Sequence, residues 1–482
     1  MILHRILQSS LWSIAAILCF SITVLLLWEY FPALILKPYN SWKGQSLTVN
    51  GQPILDHNKP EYIDAKPSEK ICFKHIEIDS EYHSEGASVA DINRDGLNDI
   101  VTGHYWYKAP VWSRHTIRPP TYEAFATPKP SDYLKAYLAG KGTGLGAIIH
   151  RAYPMAFFTF HQDVNNDGWI DVISPEMSLA PGAYWFENPK GAEAVWKQHS
   201  LTQSPIAQFA GHEAPLYTDL LQTGNVQLIT GYSHVGKTYN TLAAIEIIKG
   251  EPVVHPIEDT RPHITDKGVP AHGLGYGDIN GDGLQDLVVG PSYAVVDGAY
   301  QPTTAGWYQQ QITADGEKRW LRHPIKGVPA LSEIQILDIN DDGKADFAGG
   351  VAHDRGLLWF EQLDNHQWKP HVIDDTYTQL HATTQADING DGVNDLITGK
   401  TTRAHFGMLD PDEFGTPVLY WYEKTKTPEG KIQFIRHLIN DEVGIGRQIT
   451  ATDINNDGLM DIAVGNRNGV HIFMQESSLC EH

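Results

Sequence analysis

The chain is poor in cysteine and in basic residues. Its three cysteines, Cys19, Cys72 and Cys480, sit in 482 residues with no zinc-type spacing between them. Lys and Arg number 36 against 58 Asp and Glu, giving a formal net charge of -22. That balance argues against nucleic acid as a partner, because phosphate binding asks for a basic surface. No nucleophilic Ser or Cys motif is present. The Gly-rich stretch at 140–146 lacks the Lys-Ser/Thr pair of a phosphate loop.

The acidic excess is patterned. Six nine-residue segments read DINRDGLND (91–99), DVNNDGWID (163–171), DINGDGLQD (278–286), DINDDGKAD (338–346), DINGDGVND (387–395) and DINNDGLMD (453–461). Each carries oxygen side chains at positions one, three, five and nine and a Gly at position six, where a tight turn favours a residue without Cβ. The oxygen donors are Asp91, Asn93, Asp95 and Asp99; Asp163, Asn165, Asp167 and Asp171; Asp278, Asn280, Asp282 and Asp286; Asp338, Asn340, Asp342 and Asp346; Asp387, Asn389, Asp391 and Asp395; and Asp453, Asn455, Asp457 and Asp461. Hard oxygen ligands at alternate positions around a Gly turn are what Ca²⁺ requires. An EF-hand is excluded, since the ninth residue leads at once into a short apolar run rather than a helix. A worn seventh copy, Asp219 to Gly224, keeps its first Asp and loses the other carboxylates, so it is expected to bind no ion.

The repeat extends beyond the loop. An apolar strand candidate precedes and follows each loop. A third is aromatic, as in Tyr105-Trp-Tyr107 and Leu358-Trp-Phe360, and a fourth ends in a His: His75, His115, His199, His255, His323, His371 and His437. Four strands per unit at this period is the signature of a β-propeller. The last unit lacks a fourth strand, and the segment around His75 is expected to supply it and close the ring, removing free sheet edges.

On these motifs the chain resembles the FG-GAP/VCBS-type seven-bladed β-propellers, the repeat class also found in integrin α-subunits, over about residues 72–476. The resemblance implies an all-β propeller with up to six structural Ca²⁺ ions. It leaves function open, since such propellers serve adhesion, scaffolding and catalysis.

Residues 1–10 form a short tail and 11–36 a nearly uncharged apolar stretch, expected to be an uncleaved signal-anchor transmembrane helix. The rival reading, a cleaved signal peptide, lacks a small-x-small cleavage site after it. Residues 37–70 read as a linker and 71–482 as the propeller. Calcium loops suit a propeller outside the cytoplasm, periplasmic or extracellular. Aligning the fourth strands places Cys72 beside Cys480, an expected disulfide in an oxidising compartment.

In a blade the strands alternate direction, so the calcium loops share one face. Reactive residues collect on the other, around the central channel. Catalytic candidates there are His83, His212, His272, His381 and Arg447. Ligand-binding candidates are Glu85, Glu213, Glu333, His353, Arg403 and His405. The fourth-strand histidines recur with the fold and read as structural; the channel set differs from blade to blade. Such a set suits recognition of a ligand, carbohydrate foremost or a protein, at the channel face. The alternative is an enzyme resembling propeller polysaccharide lyases and sugar dehydratases in architecture, with a His or Tyr base and an Arg that neutralises a carboxylate or enolate. Several His with a carboxylate also suit a transition metal in the channel.

Overall fold

The computed structural model describes residues 48–49, 52–53, 61–66, 71–120, 122–124, 152–176, 182–201, 207–210, 213–234, 240–257, 272–291, 293–296, 299–302, 304–401, 411–412 and 415–479. The apolar stretch at 11–36 lies outside them. Among the described residues no helix is long and apolar enough to cross a membrane.

Seven sheets follow one another, each built on four antiparallel strands; blade 3 has a fifth, Ala207–Ala210, which pairs with Gly231–His234 next to Leu216–Thr218 on the same second strand. Blade 1 runs through Ser88–Ala90, Asp99–Val101, Tyr105–Lys108 and Ser113–Thr116. Blade 5 is the most regular, with Gln335–Leu337, Asp346–Gly350, Arg355–Gln362 and Trp368–Thr378. Blade 7 takes Ile449–Thr452, Asp461–Asn466 and Gly469–Leu479 from the C-terminus and Ile71–Asp79 from the N-terminal side, so the ring closes as expected. The second strands are wholly buried, as in Asp346–Gly350 and Asp461–Asn466, which explains their continuous apolar runs.

The ninth-position Asp organises each loop. In blade 5 the Asp346 carboxylate accepts the amide of Ile339 at 3.1 Å and that of Gln362 at 2.7 Å, tying loop to third strand. Asp461 does the same with Ile454 and Gln475. At position one, Asp338 accepts the amides of Asp342 and Gly343 at 3.1 and 2.9 Å. Side chains from one blade also reach the loop of the one before. Asn188, Gln310, Gln362 and Gln475 donate to the carbonyls of Ile92, Leu220, Ile279 and Ile388 at 3.0 to 3.2 Å. These amides latch successive blades on the loop face.

Fourth-strand histidines stack on third-strand tryptophans: His115 on Trp106, His199 on Trp185, His323 on Trp307, His371 on Trp359 and His437 on Trp421, with ring centroids 3.8 to 4.3 Å apart. His75 departs from the expected equivalence. It pairs with Phe473, whereas Ile76 pairs with Ile472 in the slot that the other blades fill with His and Trp. The final strand also carries a bulge between Gln475 and Leu479, so the simple alignment of blade 7 on blade 5 is displaced there. Leu479 nevertheless pairs with Ile71, and Cys72 is disulfide-bonded; Cys480 lies outside the described residues.

Two further departures come from local chemistry. Within the stretch read as a linker, Tyr62–Asp64 adds a parallel fifth strand to blade 6, against Phe434, Ile435 and Arg436. Blade 4 carries an extra hairpin, Tyr293–Val296 with Ala299–Pro302, whose two-residue connection is Asp-Gly, a strong hairpin signal.

Candidate functional site

One repeat position builds the site. The residue six places before the first loop Asp is Glu85, Phe157, Glu213, His272, Ser332, His381 and Arg447 in blades 1 to 7. It sits just ahead of each innermost strand, on the channel face away from the loops.

Three histidines meet there. His272 enters blade 4, His381 enters blade 6, and His353 lies between the second and third strands of blade 5. The Nε2 atoms of His272 and His353 are 2.7 Å apart, and ligand atoms of all three rings lie within 4.8 Å of one another. The rings stand edge to face, with centroids 4.7 to 5.3 Å apart. His272 and His381 are buried, whereas His353 keeps partial exposure.

Backbone geometry explains the convergence. Gly273 adopts φ +85°, and a Cβ there would meet Gly290 Cα at 3.0 Å and the Leu331 carbonyl at 3.2 Å. Blade 5 has only Ser332 at the shared position. The His353 turn is pinned by Ala352 N to Ala330 O and by Gln379 N to Asp354 O, both at 3.0 Å.

Beside the histidines runs a chain of charges. Glu213 Oε2 lies 3.8 Å from His272 Nε2 and 3.5 Å from Arg447 Nε. Arg447 Nη1 donates to Glu85 Oε2 at 3.1 Å, and the Tyr82 hydroxyl donates to the other Glu85 oxygen. The Arg447 guanidinium also lies over the Phe157 ring. Gly446 makes this approach feasible, because a Cβ there would stand 2.2 Å from the Glu85 carbonyl. Arg447 and Glu85 are both buried, as charges held inside a protein must be when paired.

Glu333, one place after Ser332, accepts the Thr383 amide at 3.3 Å. Burial pushes its carboxyl up to about 8, against a modest opposing pull from that amide. It is therefore mostly protonated at neutral pH and can donate a hydrogen bond.

The FG-GAP repeat family matches residues 445–473. That match lies in blade 7 of the seven-bladed ring. The chain is a β-propeller that carries an FG-GAP repeat. No curated protein matches it. Among solved structures, a chain in the cryo-EM structure of RAG in complex with one melted RSS and one unmelted RSS is similar over 55% of this chain and 82% of that one, at 11% identity and a TM-score of 0.34, a likeness that carries no argument.

In this propeller the expected site residues divide into three groups. His272, His353, His381, Glu213, Arg447 and Glu85 come together, and Glu333 occupies the same repeat region. His83 does not join them: its Nε2 bonds Glu81 at 2.8 Å, within a group formed by Asp79, Glu81 and Arg114. His212, Arg403 and His405 lie outside the described residues. The Arg447 guanidinium pairs with Glu85 and Glu213 and so positions those two carboxylates.

Residues beyond the second strands largely support backbone. Burial pushes the His104 imidazole down to about 3, with the neighbouring Arg118 cation adding to the effect, and its Nδ1 lies 2.9 Å from the His83 carbonyl. Arg118 pairs with Glu176, and Lys400 donates to the Thr378 hydroxyl. Sequence reasoning passed over Tyr82 and Phe157, the aromatic part of the site. Counting back six residues from every loop finds Phe157 at once.

Proposed function

We propose that this protein is a membrane-anchored, calcium-stabilised propeller outside the cytoplasm that binds carbohydrate at its channel face. The observation that carries the reading is the shared repeat position. Fold demands recur from blade to blade, yet this position holds Glu, Phe, Glu, His, Ser, His and Arg, and five of those seven side chains form one connected group. Carboxylate oxygens that accept, imidazoles that donate or accept, and a protonated Glu333 that donates suit sugar hydroxyls, which do both. Tyr82, partly exposed, adds aromatic surface on which a pyranose ring packs, with the buried Phe157 ring backing Arg447. Two carboxylates against one guanidinium favour neutral sugars over acidic ones.

Calcium is supported by the loops. Each gathers three carboxylates, and burial, reinforced by neighbouring Asp charges, pushes the ninth-position carboxyl of Asp99 up to about 6 and that of Asp171 to about 7. A divalent cation reverses that penalty.

Binding of immobilised neutral and acidic glycans to the full-length protein, followed by calorimetry on the best binder, tests the assignment. His381→Ala and Glu213→Gln are expected to weaken binding at least tenfold while calcium-bound melting changes little. Binding left intact by both substitutions would refute the channel-face assignment. An enzyme acting on the sugar by elimination is the second reading, favoured by the paired imidazoles of His272 and His353. It requires a cation for the developing negative charge other than Arg447.

A further inference from the structure

We propose that His272, His353 and His381 hold one divalent transition-metal ion of the zinc class. The assignment goes beyond the carbohydrate reading and stands without it. Three imidazoles from three different blades bring ligand nitrogens within 4.8 Å of one another on the channel face. No sequence neighbour relation forces this, since the residues are 81 and 28 positions apart.

Two imidazole Nε2 atoms facing each other at 2.7 Å share at most one proton between them. A neutral imidazole always presents one lone pair, and three such lone pairs in a buried pocket are the usual zinc donor set. Around a tetrahedral ion with Zn–N near 2.0–2.1 Å, neighbouring nitrogens stand roughly 3.3 Å apart. The His272–His353 pair then opens by roughly 0.6 Å, within reach of small ring rotations because His353 lies on a partly exposed turn.

The donor type selects the ion. Imidazole nitrogen suits Zn²⁺, Co²⁺, Ni²⁺ or Cu²⁺, whereas Ca²⁺ and Mg²⁺ take oxygen. The two metal classes are therefore sorted between two faces of one molecule. Glu213, 3.8 Å from His272 Nε2, stands where it either ligates the ion or accepts a hydrogen bond from a water on it. Arg447 Nε lies 3.5 Å from the same Glu213 oxygen, the kind of outer support that fixes a metal ligand. Three protein nitrogens with a fourth place for carboxylate or solvent is the arrangement of an open zinc centre.

A second group, Asp79, Glu81 and His83, also brings ligand atoms within 4.8 Å. There the Arg114 guanidinium donates to both carboxylates at 3.0 Å and fills the place of a cation. That group serves as the internal control.

The test uses the full-length chain in detergent, without a histidine tag, and with calcium saturating so that the oxygen loops are occupied. Titration with Zn²⁺ is expected to show one tight site per chain, and Co²⁺ to give the visible absorption of a nitrogen-ligated, four-coordinate ion. His353→Gln, at the partly exposed position, is expected to lower zinc affinity at least tenfold and to abolish the cobalt spectrum. Its calcium-bound melting should match wild type and so exclude misfolding. His83→Gln is expected to leave both signals unchanged. Absence of a stoichiometric zinc site, or zinc binding that survives His353→Gln and His381→Gln together, would overturn the proposal. So would loss of the site in His83→Gln alone. Glycan binding measured in zinc-free buffer separates this outcome from failure of the carbohydrate reading.

Discussion

At the scale of single residues, the worn loop of blade 3 shows what the other loops need. Its ninth position is Gln227, whose amide nitrogen donates to Asp219 Oδ1 at 3.3 Å, to Thr223 Oγ1 at 3.1 Å and to the Asn225 carbonyl. These are the groups at positions one, five and seven, which surround the ion in a calcium loop. A neutral amide thus takes the place of the cation, and the loop keeps its shape: the Thr223 and Gly224 amides still reach Asp219 at 2.9 Å. Gln227→Ala should cost about 1–3 kcal/mol, as expected when the buried Leu221 amide, which donates to Gln227 Oε1 at 3.0 Å, loses its acceptor. The loss should be the same in calcium and in chelator, read by denaturant melts. Asp457→Ala should instead remove a calcium-dependent increment, and wild type should melt lower in chelator and recover on adding calcium. A Gln227→Ala defect that calcium repairs would contradict the surrogate role.

Glu333 gives the pH dependence of the same face. Its folded carboxyl is raised to about 8 from an ordinary value of 4.5. Folding therefore favours the protonated form. The stabilisation is complete below pH 4.5, declines as pH rises and is gone above about 8. Glu333→Gln should flatten that slope, so that the variant gains on wild type between pH 5 and 8 in paired melts. Parallel curves across that range would show that the carboxyl titrates normally. Much of this face was legible in the sequence, because His272, His381, His353, Glu213 and Arg447 depart from the repeat. The pairing of Arg447 was not legible, since the glutamates that occupy it come from blades 1 and 3.

At the scale of elements, the segment read as a linker is the main surprise. Its polar, Pro-containing sequence carries no strand periodicity, and its partners lie 298 or more residues away. Tyr62–Asp64 is held by side chains from blade 6: Arg436 binds Asp64 at 2.7 Å and Asp374 at 2.8 Å, and its guanidinium lies over Tyr62. Glu61 reaches Trp359 and His371 of blade 5 at 2.8 and 2.9 Å. Asp374 is fully buried and also accepts the Tyr422 hydroxyl. Arg436→Gln leaves that carboxylate without its cation and should destabilise the protein by about 3–5 kcal/mol. Asp64→Asn, at the exposed end of the network, should cost less than about 1 kcal/mol. Comparable losses from both, measured by urea unfolding, would place the stabilising energy in the strand rather than in the Asp374 pair. Strand identity was otherwise readable from the loops outward, because each ninth Asp fixes where the second strand starts. The His75 register was not, since a one-residue offset and a bulge leave no mark in composition.

For the whole molecule, closure joins the two ends of the propeller in one blade. The pairing of Leu479 with Ile71 brings the end of the final strand alongside the start of the strand that carries Cys72, which is disulfide-bonded. We expect Cys480 to be its partner. Cys72→Ser should then lower stability by about 4–5 kcal/mol in the chain-entropy account, since the loop spans nearly the whole ring. Peptide mapping of the unreduced protein should recover the two cysteines linked; recovery of Cys480 as a free thiol would reject the pair. Ring closure, the Asp-rich loops and the interblade amides all act away from the channel ring. That separation leaves one repeat position free to vary. The most direct measurement is diffraction from crystals grown in calcium and soaked with the best-binding glycan. The account predicts ions at six loops, none at Asp219, and the sugar against Tyr82, Glu213 and His353. A sugar seated on the loop face, or a calcium ion in the channel centre, would contradict it.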